Sequence, residues 1–161
     1  MTPVFDVIAG LPVHALVVHA VVVLLPLMAV VTFVVALRPA WRRGPVARWV
    51  ALANLVVVGL AYVARLSGRN LQARLSALQG QTIAETHGKE GTLVWLFALA
   101  LFVVSLLVVL LGSRGGVLAV LTVVLVGVVG AAAIGWTVIT GDSGARAVWE
   151  QTIANTKPPG G

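Results

Sequence analysis

Long apolar runs dominate the chain, separated by short polar punctuation. Four runs approach or exceed the length of about 20 residues that a helix needs to cross a bilayer: Val13–Leu37, Trp49–Leu66, Thr92–Gly112 and Val117–Ile139. Each is predicted to be a membrane-spanning helix, because backbone polar groups in hydrocarbon must pair within their own segment. The first carries Pro26 inside it, which predicts a kink or a local adjustment. A basic, Pro- and Gly-punctuated loop containing Arg38, Trp41, Arg42, Arg43 and Arg48 follows the first run, and Gly112–Gly116 with Arg114 follows the third. Both read as tight hairpin connections.

The longer polar stretches have a periodicity of their own. Leu71, Leu75 and Leu78 recur at helical spacing within 69–86, as do Ala145, Val148, Trp149 and Ile153 within 142–155. Each stretch is expected to form a helix along the outer surface, the second capped by Asp142 or Ser143; Lys157–Gly161 reads as a tail. The two stretches are also related, since Gln81–Gly91 and Gln151–Gly161 share six identities in eleven positions. Ser67-Gly68 and Thr140-Gly141 are read as closing the second and fourth helices. The pattern implies a duplicated unit within a single transmembrane domain, 1–161, with repeat unit one at about 11–86 and repeat unit two at about 87–157. A unit with an even number of spans repeats in one orientation, so the pseudo-twofold axis would follow the membrane normal. Gly127, Ala131 and Gly135, with Ala64 and Gly68, predict close packing of helices two and four. The expected fold is all-α: an integral membrane four-helix bundle of two duplicated helix-hairpin units, each followed by an amphipathic surface helix.

Composition agrees with the pattern. Of 161 residues, 60% are apolar and 10% charged, whereas a soluble domain is about one-quarter charged. The absence of cysteine excludes disulfides and thiolate chemistry. The net charge of +6 does not point to nucleic acid, because the basic residues flank apolar runs, where they act as topology signals and contact lipid headgroups. The first ten residues hold no Lys or Arg, so the first run is read as a retained helix and not a signal peptide. Four arginines lie just beyond it, which places the hairpin loops inside and both termini outside a cytoplasmic membrane.

Histidine supplies the candidate chemistry. His14 and His19 stand at the mouth of the first run and His87 just before the third. Ionisable side chains at a membrane boundary are costly and need a reason. Under the duplication His14 and His87 are near-equivalent and face each other on the outer side. His19 lies about 140° around an ideal helix from His14, so the two have separate roles. It also lies about 28 Å from Arg38 along the helix, near the outer hydrocarbon edge, where it is expected to matter at least as much as His14. Against a shared site stands the plainer alternative that each ring is solvated, bonded to nearby backbone or capping a helix. Asn54 and Ser105 could hydrogen-bond across the bundle, with bonds to their own helices as the simpler alternative. No carboxylate lies inside the four runs, and no nucleophile triad or phosphate loop is visible.

Leu11-Pro-Val-His-Ala-Leu-Val-Val-His-Ala20, His87 ahead of the third run, and Thr140-Gly-Asp-Ser-Gly-Ala-Arg-Ala-Val-Trp149 together resemble the bacterial membrane-protein family called domain of unknown function 2231. Ala15 and Ala20 stand where that family tends to have Pro and Phe. The resemblance implies a four-span domain, sometimes joined to iron–sulfur or cytochrome modules, and tilts a histidine site toward redox work.

Two functions are carried forward. In the first, His14 or His19 together with His87 binds haem b or a transition metal, in an electron-transfer setting with iron–sulfur or cytochrome partners. In the second, the chain is a non-catalytic scaffold or accessory subunit that packs through its small-residue helices, with a homo-oligomer left open. Neither makes the chain an enzyme by itself.

Overall fold

In the computed structural model, residues 7–8, 10–76 and 83–156 are described. A two-residue hairpin, β1 (Val7–Ile8) with β2 (Leu11–Pro12), leads into α1 (Val13–Leu37). The short helix α2 (Pro39–Arg42) follows, then α3 (Pro45–Ser76), α4 (Ile83–Leu111) and α5 (Gly116–Ala154). Four stretches within them are long and apolar enough to cross a membrane: Val13–Leu37, Pro45–Ala73, His87–Leu111 and Gly116–Glu150. The chain is an all-α, multi-pass membrane bundle.

The helices alternate in direction and form a ring. α1 packs against α3 and α5, α4 packs against the same two, and α1 meets α4 only across a diagonal. Helices α3 and α5 take the other diagonal, which corrects the expectation that they pack closely. Their glycines serve α1 instead: Gly130 abuts Ala29, and a Cβ at Gly127 would meet the Phe33 ring at 3.2 Å. Gly135 faces open space and Ala131 is exposed. Small residues thus mark close approach here, but to a different neighbour.

A second correction concerns the amphipathic stretches. Residues 69–76 continue α3, 83–86 open α4 and 142–154 continue α5, so they are not separate surface helices. Leu78 and the tail at 157–161 lie outside the described residues. Nothing in the sequence forces a break, since no proline lies between Pro45 and Pro158. A helical glycine costs only about 1 kcal/mol, and neither Gly68 nor Gly141 adopts positive φ. The helices therefore run through the positions read as their ends.

Leu25, Leu101, Val126 and Ala133 are fully buried and centre the core. Val23, Leu110, Val117 and Val128 point outward with more than 60% of their surface exposed, a liability in water but the ordinary condition of a lipid-facing helix. One polar link crosses this core. Thr32 Oγ1 donates to Met28 O (2.6 Å), and Asn54 Nδ2 donates to Thr32 Oγ1 and to Val50 O (both 3.0 Å). Asn54 therefore does bond across the bundle, while Ser105 bonds the Phe102 carbonyl of its own helix. At the arginine-rich end the hairpins touch, because Gly112 packs on the Arg42 carbonyl where any side chain would collide.

Candidate functional site

The alternating topology decides where the histidines go. α1 and α4 run in the same direction and start at the same end of the bundle. A residue in the first turns of each meets its counterpart across the diagonal, between α3 and α5. His14 lies in the first turn of α1 and His87 in the second turn of α4, with ring centres 6.2 Å apart and planes at 70°.

Each ring is tethered to the helix that follows it in its own half. His14 Nδ1 lies 3.0 Å from Ala64 O, and His87 Nδ1 lies 3.1 Å from Thr140 O. A carbonyl can only accept, so in both rings Nδ1 carries the hydrogen. Ser143 Oγ lies 3.3 Å from His87 Nδ1 and itself donates to Thr140 O. On the other side Ser67 Oγ donates to Ala64 O. Glycine then lets the backbone close on the rings. A Cβ at Gly68 would stand 3.0 Å from His14 Cε1 and Nδ1, and one at Gly144 would stand 2.9 Å from His87 Cε1. Ala64 and Gly68 on α3 thus do for His14 what Thr140 and Gly144 on α5 do for His87, while of the two serines only Ser143 also reaches its ring.

This register was not legible beforehand. The sequence pairs Gly68 with Gly141 as helix ends, whereas the contacts pair it with Gly144, one turn on. The missed signal was spacing: a small residue, a serine and a glycine at i, i+3 and i+4 occur on both helices facing the histidines.

His19 stands apart. It is exposed on α1, and its Nδ1 bonds the Ala15 carbonyl of its own helix. The structure brings together His14 and His87 and leaves His19 outside, as the angular offset along α1 requires. Among the described residues no group of three or more His, Cys, Asp or Glu is placed to hold a metal ion.

The surroundings are aromatic and polar. Trp136 Nε1 donates to Glu90 O (3.0 Å) and its ring stacks on Phe97. The Arg65 guanidinium lies over Trp95 at 5.1 Å. Thr140 is buried, and its Oγ1 has no hydrogen-bond partner among the described residues.

The chemistry of the pair follows from its tethers. Holding Nδ1–H on a carbonyl fixes the tautomer and leaves Nε2 as a neutral donor, the usual outer-shell arrangement of metal-binding histidine. Both Nε2 atoms stay beside those same helices, 3.7 Å from a Cβ placed at Gly68 for His14 and 3.5 Å from one placed at Gly144 for His87. No hydrogen bond joins either Nε2 to another described residue.

No curated protein and no solved structure is detectably similar to the chain. A family model described as "Predicted membrane protein (DUF2231)" matches residues 10–157. That match spans both histidines of the pair and all four membrane helices, and the chain belongs to this family of membrane proteins.

Proposed function

We propose that the chain is a membrane-embedded binding module in which His14 and His87 hold a single transition-metal ion through Nε2. One observation carries the reading: two imidazoles from diagonal helices, each with Nδ1–H on a backbone carbonyl, have their ring centres 6.2 Å apart. Random burial of two histidines does not call for matched tethers on two different helices. The matched tethers also support reading the halves as duplicated units about an axis along the membrane normal. The arginine cluster at the opposite end supports an outward-facing pair, open to ions from outside the cytoplasmic membrane.

A small ion suits the pair better than haem b does. A porphyrin is about as wide as the 8–10 Å spacing between packed helices, and α3 and α5 already close on both rings at Gly68 and Gly144. Those contacts leave no slot for a macrocycle between the imidazoles. Electron transfer, with iron–sulfur or cytochrome partners, draws no support from these contacts, and the reading stops at binding.

The test is metal analysis of the purified full chain after incubation with transition-metal salts and gel filtration, alongside a visible spectrum. Wild type and His19→Ala should retain about one ion per chain, while His14→Ala and His87→Ala should each lose it. A Soret band that disappears with either histidine would replace the ion with haem. Wild type without metal or chromophore would leave the scaffold reading in its place.

A further inference from the structure

The metal-pair reading leaves the identity of the ion open, and the geometry narrows it. Resting on that reading, we infer that the pair takes a soft monovalent cation, Cu(I), in a nearly linear site with two nitrogen ligands.

Distance is the first argument. With metal–nitrogen bonds of about 2.0 Å and each ring centre about 1 Å behind its nitrogen, collinear ligands place the centres about 6 Å apart. A tetrahedral angle at the metal brings the same rings to about 5 Å. Sharing a proton at hydrogen-bond distance likewise gives about 5 Å. The observed 6.2 Å agrees with the collinear case.

Ligand number is the second. Zinc takes four ligands in structural sites and three plus water in catalytic ones, and the described residues gather no third His, Cys, Asp or Glu. Glu90, one turn after His87, is not drawn into the pair. Two-coordination is a stable state for a filled-shell monovalent ion, which has no ligand-field preference to satisfy.

Charge is the third. Both ligands are neutral, so the full charge of the ion is carried into a partly buried, low-dielectric site. The cost of that transfer grows with the square of the charge, making a divalent ion about four times as expensive. The tethers on α3 and α5 also resist the rearrangement by which two rings could bend toward a tetrahedral ion.

The experiment uses the full chain in detergent under reducing, oxygen-free conditions. Cu(I) is supplied against a chromogenic chelator, with Ag(I) as a redox-inert probe and Zn(II) in parallel. Wild type should take about one Cu(I) or Ag(I), and Zn(II) should be removed by desalting. His87→Ala and His14→Ala should each weaken Cu(I) binding at least 100-fold, exceeding the 10–100-fold loss typical of outer-shell changes. His87→Met, which restores a soft ligand, should recover Ag(I) binding and separates lost ligation from lost folding. Retention of Zn(II) or Ni(II) in place of Cu(I), still requiring both histidines, would overturn this inference and leave the metal pair standing. Binding of none of these ions would overturn both.

Discussion

Replacing Gly68 by alanine tests how tightly the backbone sets the His14 ring. The added Cβ would lie 3.0 Å from His14 Cε1 and Nδ1, whereas ordinary carbon contacts sit at about 3.5–4.0 Å. The ring must therefore retreat by about 0.5–1 Å, at or beyond the tolerance of about 0.5 Å that a binding constellation allows. The same movement strains the 3.0 Å bond to Ala64 O, worth about 0.5–1.5 kcal/mol. Alanine, however, gains about 1 kcal/mol over glycine in a helix interior. The two effects nearly cancel in stability but not in binding. Gly68→Ala should leave thermal unfolding within about 1 kcal/mol of wild type, while metal affinity falls about 10–100-fold, as for other changes to the second shell of a ligand. Calorimetric unfolding in detergent and a metal titration on the same preparation measure both. Unchanged affinity would refute the claim that the glycine contact holds the ring. A large loss of stability would show that Gly68 serves packing more than the site.

Gly144→Ala should behave in the same way toward His87, since the Cβ contact there is 2.9 Å. Gly112→Ala should destabilise by about 1–3 kcal/mol through overpacking against Arg42, read as a lower unfolding temperature with metal affinity retained. Asn54→Leu should change stability by about 1 kcal/mol or less, because a cross-helix bond in lipid averages about 0.6 kcal/mol and the change also removes a buried, unpartnered Oδ1. Asn54→Asp should be much worse, costing up to about 3 kcal/mol if the carboxylate stays charged in the span, visible as poor membrane yield or early unfolding.

Fold class was legible because a bilayer enforces it. A run such as Val13–Leu37 has one way to satisfy its backbone in hydrocarbon, and the helix in the structure has the same bounds. The ends of the other spans on the histidine side were not legible, whereas the third run's close and the fourth run's start fall within one residue of Leu111 and Gly116. Gly68 and Gly141 looked like stops, but glycine breaks a helix only where something rewards the break, and here the helix continues into α3 and α5. Facing of His14 and His87 could be read from their like positions at the starts of parallel helices. Their tethers could not, because Ala64 and Thr140 act through backbone carbonyls that carry no side-chain signature. The glycine stripe of α5 misled for a related reason: spacing shows which face permits close approach but not which helix arrives. Phe33 and Ala29 of α1 fill that face.

Nitrogen-15 NMR of the histidine rings, with the labelled full chain in lipid nanodiscs titrated with Ag(I), tests the central claim most directly. Before metal, His14 and His87 should each show a protonated Nδ1 and a bare Nε2. At one equivalent their two Nε2 signals should shift together while those of His19 stay in place. Movement of His19 alone, or of only one ring of the pair, would contradict a shared His14–His87 site.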